Sequence, residues 1–248
     1  MAKQWIISAC VGGAIFVSGC KSQEVQPVAA APAPVIKPAP ATPIEEKKEE
    51  LGGKTWDPQW DVLVEQALPV DMLSDKAAHA VRSYCPNFET ESEADKRAFW
   101  AYVFQGLAGA EAGLDPTVNV HHTEPEVAKI DKVSKRPVRQ EGLMQVTYED
   151  ADRYGCEFDW QSDRKLPLHD PNRTILQPEK NLGCGIKIME NQIITQGKPL
   201  LARTSYWATL QPGTVSYRVF AKQMANVPAV CGVGAAKRKK APRQRAGE

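Results

Sequence analysis

Between residues 90 and 113 the sequence carries a helix signal that constrains everything around it. Thr90 and Glu93 have the spacing of a capping box, in which each side chain satisfies a backbone N–H left open at a helix start. Ala98, Phe99, Tyr102, Val103, Gly106, Leu107 and Ala110 then recur at i, i+3, i+4 and i+7, one face of an α-helix. Gly113 and Asp115-Pro116 predict its end. A helix with such a stripe must bury it. Glu111 follows Leu107 by four residues, Val103 by eight and Phe99 by twelve, so it lies on the stripe, at the last turn. Burial raises a carboxyl's pKa, and the negative end of the helix dipole raises it further. A glutamic acid held protonated near neutral pH is what a general acid needs. Periodicity alone is equally compatible with a glutamate that a fraying helix end releases to solvent.

Further helices follow. Thr147 with Asp150 has the spacing of another N-cap, leading into Ala151-Asp152-Arg153-Tyr154. Pro178 suits a first helical position before Leu182, Ile186, Met189 and Ile193 at helical spacing. A segment from Leu200 to Leu210 carries Tyr206 and Trp207, is read as helical, and stops at Pro212-Gly213. No strand-type alternation runs longer than a few residues. The expected fold class is mainly α.

The ends of the chain differ from this region. Lys3 precedes an apolar run from Trp5 to Val17, followed by Ser18-Gly19-Cys20. A membrane span needs about 20 apolar residues, so this shorter run predicts an export signal over residues 1–19. Small residues immediately before Cys20 match a lipoprotein processing site, which makes Cys20 the expected point of lipid attachment. Lys21, rather than an aspartate, favours an outer-membrane destination facing the periplasm. Plain cleavage and secretion is the alternative. Residues 20–53 hold six of the 19 prolines and the charge run Glu45-Glu46-Lys47-Lys48-Glu49-Glu50. Such a composition predicts a disordered tether, on the order of 90–100 Å long if fully extended. Residues 235–248 form a basic tail with Lys237-Arg238-Lys239-Lys240, expected to be solvated and disordered.

The region between, 54–234, is long enough to bury a core. It holds 20 basic and 24 acidic residues, while the whole chain has 31 and 30. Neither balance suits a polyanion binder, so no nucleic-acid partner is expected. Cys85, Cys156, Cys184 and Cys231 are an even number in an exported chain, which reads as two disulfides. Four cysteines allow three pairings. The preferred one joins Cys156 to Cys184, closing a short loop, and Cys85 to Cys231, fastening the two ends of the domain. No Cys-x-x-Cys pair occurs, and the adjacent His121 and His122 point apart in either helix or strand, so no metal site is expected. His79 and His169 have no ligand-like neighbours.

From Glu111 onward the chain resembles the soluble lytic transglycosylase domain, a lysozyme-like fold that cleaves peptidoglycan. Its acidic helix end is matched by Ala110-Glu111-Ala112-Gly113-Leu114-Asp115-Pro116 and its Gly-Leu-Met-Gln motif by Gly142-Leu143-Met144-Gln145. Tyr154-Gly155, Asp170-Pro171 and Asn181-Leu182-Gly183 follow in the family's order, and Ser205-Tyr206-Trp207-Ala208 approximates its last motif. The likeness spans about residues 98–210. Three departures stand out: Ala112 replaces the usual serine, the stretch before Gly142 is long, and the last motif lacks its asparagine.

The resemblance implies a single catalytic acid, Glu111, and no cofactor. It also implies peptidoglycan glycan strands as substrate, with Gln145 and the backbone around Met144 lining the groove and Tyr206 hydrogen-bonded near Glu111 to hold its orientation; core packing is the alternative for the Met144 side chain. The sequence identifies no protein partner; the membrane enters only through the lipid at Cys20. A goose-type lysozyme-like hydrolase would need a second carboxylate, for which Asp115 and Asp131 are candidates. A non-catalytic peptidoglycan-binding lipoprotein is the third reading.

Overall fold

The computed structural model describes residues 54–121, 129–228 and 231. The export signal, Cys20, the tether, His122 and the basic tail lie outside the described residues.

Asp57 starts the first helix: its carboxylate accepts from the Gln59 N–H at 2.8 Å, and Pro58 takes the first helical position. This helix, α1, runs Pro58–Ala67; α2 (Asp75–Val81) follows a 3-10 turn at Val70–Leu73. The long helix, α3, spans Glu93–Ala112 and is about 30 Å long at 1.5 Å per residue. Its cap is Ser92, not Thr90. The Ser92 hydroxyl accepts from the Asp95 N–H at 3.1 Å and donates to the Asp95 carboxylate at 2.6 Å. Thr90 instead closes a 3-10 turn at Phe88–Thr90, its hydroxyl donating to the Asn87 carbonyl at 3.0 Å. The two pairs share one spacing, so local pattern cannot choose between them. Burial of Phe88 in the core decides.

α3 is more deeply set than one stripe requires. Ala98 is exposed, but Trp100, Phe104 and Ala108 are buried along with Phe99, Val103 and Leu107. The reason is that α3 is packed by α1 and by α7 (Val215–Met224). Gly106 permits the second contact: a Cβ there would meet Gln223 at 3.1 Å and Phe220 at 3.3 Å. Tyr102 donates to the Gln223 carbonyl at 2.8 Å, and buried Trp100 donates to the Met72 carbonyl at 2.7 Å. Each of these polar groups in the aromatic core thus has a backbone partner.

After α3 the chain forms a small antiparallel ladder, β1 (Asn119–His121) and β2 (Arg139–Glu141). Three polar-rich residues per strand leave no alternation to read, which is why sequence misses it. Next come α4 (Glu149–Tyr154), α5 (Trp160–Asp163) and α6 (Pro178–Glu190), the last running into a π turn at Asn191–Thr195. Leu182, Ile186, Met189 and Ile193 are all buried, as their spacing predicts. Thr147 and Asp150 do pair, though in the reverse sense: the Asp150 carboxylate accepts from the Thr147 N–H at 2.7 Å and hydroxyl at 3.0 Å. The helix expected over Leu200–Leu210 is absent. That segment is a loop ending in a 3-10 turn at Ala208–Leu210, because the Ala202 N–H bonds to the Leu210 carbonyl at 3.2 Å instead of a helical ladder.

Cys85 pairs with Cys231 and Cys156 with Cys184, the preferred sequence pairing. Among the described residues no helix is long and apolar enough to cross a membrane. The architecture is mainly α, consistent with a lysozyme-like fold.

Candidate active site

Glu111 stands on the last turn of α3. Gly113 ends the helix in the left-handed conformation, with its N–H bonded to the Gly109 carbonyl at 3.2 Å. Leu114 is also left-handed, at φ 63°, a conformation that costs a bulky residue of order 1–3 kcal/mol. The helix therefore stops sharply instead of fraying. The Glu111 carboxyl is held partly buried against Thr209. Burial pushes its pKa above the ordinary value, and the N–H and hydroxyl of Thr209 pull it part of the way back. The Thr209 side chain is itself fully buried. Thr209 has no polar or charged motif around it to announce a role.

The turn Gly142–Gln145 is built by its backbone. Gly142 sits at φ 74° with Asn181 so close that no side chain fits there. The Asn181 amide oxygen accepts from the Met144 N–H at 2.7 Å, while its NH2 donates to the carbonyls of Ile175 at 2.7 Å and Glu141 at 3.0 Å. Trp207 donates its indole N–H to the Met144 carbonyl at 2.7 Å. The Gln145 side chain, implied as a substrate contact, is turned inward, and the Met144 side chain takes its alternative, a place in the core. Met144 is fully buried and packs against the bare face of Gly185. Gln145, at φ 47° and 2% exposed, donates back to the Gly142 carbonyl at 2.8 Å. A buried amide needs a partner, and the turn supplies one.

Tyr206 also differs from expectation. Its phenol donates to the buried Asp150 carboxylate at 2.7 Å, not to Glu111. Its backbone N–H bonds to the Gln192 side chain at 2.7 Å, which the π turn brings into reach. Burial pushes the Asp150 carboxyl up, and the Tyr206 and Thr147 hydrogen bonds pull it down. This pair lines a cavity of about 460 Å³ with Gln140, Thr204, Gln192 and Tyr154. Glu111 is not in its wall. What joins the parts is one short loop: Tyr206 reaches Asp150, Trp207 reaches the Gly142–Gln145 turn, and Thr209 faces Glu111.

The candidate second acids are occupied. Asp115 pairs with Lys54 at 2.5 Å and accepts from the N–H and hydroxyl of Thr117; these contacts hold its carboxyl below the usual range, against the upward push of burial. Asp131 is buried and accepts three backbone N–H groups, from Val133, Ser134 and Glu149. Sequence reasoning missed a buried ion pair, Glu141 with Arg173, directly before the turn. Arg173 also donates to the Leu168 carbonyl at 2.6 Å and the Tyr148 hydroxyl at 2.9 Å. Burial pushes Glu141 up while the guanidinium pulls it back. Partners 32 residues apart leave no local signal. His169 bonds the Thr117 carbonyl, and His79 contacts Arg82; among the described residues no His/Cys/Asp/Glu group could hold a metal ion.

No family model and no curated protein matches the sequence. The fold is similar to that of solved structures of Bd0314 DslA. The wild-type form 2 structure is 24% identical, with a TM-score of 0.52, over 70% of this chain and 91% of that one. Two mutants of Bd0314 DslA, each with one glutamate replaced by glutamine, are each 23% identical, at the same TM-score and coverage. The likeness establishes a shared fold.

Proposed function

We propose that this chain is a peptidoglycan lytic transglycosylase with Glu111 as its single acid and base. The observation that carries the reading is the loop 206–209, which ties the acid, the Gly142–Gln145 turn and the polar cavity into one site. Protonated Glu111 gives its proton to the glycosidic oxygen between N-acetylmuramic acid and N-acetylglucosamine as the C1–O bond breaks. The resulting carboxylate takes the proton of the sugar's own 6-hydroxyl, whose oxygen closes on C1. A 1,6-anhydro ring forms, no water is consumed, and Glu111 ends protonated as it began. A raised pKa suits the first half of this cycle. The engagement of Asp115 with Lys54 and of Asp131 with backbone N–H groups favours one acid over two. The solved glutamine variants at two glutamates of Bd0314 DslA fit glutamate chemistry on this fold.

The same reading places the protein in a bacterial envelope, lipid-anchored through Cys20 to the outer membrane, with residues 20–53 as tether between the membrane and a catalytic domain over residues 54–234. The test is mass analysis of fragments released from purified sacculi. Anhydro ends support the lyase. Reducing ends assign a hydrolase, and binding without release assigns an anchor.

A further inference from the structure

The β1–β2 ladder separates two cavities, and in the described lining of the second the basic groups apart from His121 are all guanidiniums. Val120 faces Gln140 across the ladder, and His121 faces Arg139. Side chains alternate across a strand. Gln140 therefore joins the cavity beside Tyr206, whose wall mixes amides and hydroxyls with Lys129, Arg153 and Asp150, while Arg139, Glu141 and His121 line a second cavity of about 280 Å³ on the other face.

The acids of this second cavity are satisfied from within. Asp131 takes three backbone N–H groups at 2.6–3.0 Å, and Glu141 is held by Arg173. Its two other guanidiniums contact neutral groups among the described residues. Arg139 donates to the Asn119 amide oxygen at 2.7 Å, and Arg136 lies 5.1 Å from the centre of the Trp160 ring. The cavity thus joins positive charge to an aromatic and aliphatic wall, Trp160 with Leu168. Its described lining sets the three guanidiniums of Arg136, Arg139 and Arg173 against the two carboxylates of Asp131 and Glu141, and uncharged sugar hydroxyls do not answer the excess. A carboxylate answers it, because a planar guanidinium grips two oxygens at once, and the wall takes the apolar part of whatever carries it.

We propose that this cavity binds the free carboxylate of a short peptide, the anionic stem borne by peptidoglycan strands. The identity of the peptide rests on the reading of the chain as a peptidoglycan enzyme; the preference for a carboxylate does not. Titration calorimetry of the full chain in detergent with a stem tetrapeptide tests it, with the fully amidated peptide and acetate as controls. Arg136 is exposed, so Arg136→Gln leaves the fold intact; Arg139→Gln, checked by melting, is the second variant. The expected result is saturable binding of the acid peptide, at least tenfold weaker after amidation or in either variant, and no response to acetate at equal concentration. Equal binding of acid and amide forms, unchanged binding by both variants, or full competition by acetate would each overturn the proposal. Release of fragments from sacculi by a chain that does not bind the peptide would remove this site and leave the enzyme reading. Peptide binding without any release would remove the enzyme reading and leave this site.

Discussion

A carboxyl whose pKa rises on folding weakens the fold when it ionises, and Glu111 is such a group. Between the unfolded value of about 4.3 and its higher folded pKa, the native state holds a proton that the unfolded chain has lost. Stability therefore falls as pH rises through that window and stays lowered above it. Glu111→Gln removes the ionisation. We expect the variant to melt higher than the wild type at neutral pH, with the difference vanishing below about pH 4. The same substitution should abolish cleavage, while wild-type activity should decline as pH rises through the folded pKa of Glu111. Wild-type turnover by the glutamine variant would end the assignment. Tyr206 makes a contrasting case. Its phenol serves Asp150, so Tyr206→Phe removes one donor from a buried carboxylate and should cost about 1–3 kcal/mol of stability. Activity should fall far less than for Glu111→Gln, since Glu111 keeps its contact with Thr209. Equal losses in kcat would restore the orienting role that the resemblance implies.

The Gly142–Gln145 turn depends on a residue without a side chain. A Cβ at Gly142 would strike the Asn181 amide, and φ 74° adds strain for any L-residue. Gly142→Ala should cost about 2–4 kcal/mol and displace the Asn181 bonds that hold Met144, measurable as a lower melting temperature and faster amide exchange at Met144. The string Gly-Leu-Met-Gln is legible in sequence because the turn is local, but which way its side chains face is not. Met144 and Gln145 are drawn inward by α6 and by the turn's own carbonyl, partners that periodicity does not reveal. α3 is legible for the opposite reason: its apolar spacing persists over several turns, and Glu111 is placed by counting. Its cap is off by two residues because Thr90 and Ser92 offer the same chemistry. The segment Leu200–Leu210 fails as a predicted helix because Tyr206 and Trp207 take partners 56 and 63 residues away. Thr209 and the Glu141–Arg173 pair were hidden likewise, since they acquire their neighbours only when distant segments meet.

At the scale of the whole molecule, two kinds of covalent constraint bear on the reading. If Cys20 carries the lipid, Cys20→Ala should move the protein from the membrane fraction to the soluble envelope fraction; unchanged association would shift the anchoring role to another segment, the basic tail first. The disulfides can be ranked by the loops they close. Cys85 and Cys231 are separated by 146 positions and Cys156 and Cys184 by 28. Loop-closure entropy then assigns them about 5 and about 3.6 kcal/mol. For a domain of this size each kcal/mol moves the melting temperature by about 2–4 °C. Cys85→Ser with Cys231→Ser should therefore lower melting by about 10–20 °C, and Cys156→Ser with Cys184→Ser by about 7–14 °C. The two losses should also differ in kind. The longer bridge joins the segment before α3 to the chain beyond α7, and α7 packs the flank of α3 at Gly106. Cutting it should loosen the support of the helix that carries Glu111, so activity should fall at temperatures below the melting transition. The shorter bridge staples the end of α4 to α6, whose Asn181 pins the Gly142–Gln145 turn through noncovalent bonds that remain. Its removal should lower melting with little change in activity at low temperature. If the shorter bridge instead proves the costlier to lose, strain or residual structure in the unfolded chain outweighs loop length, and the entropic ranking fails for this fold.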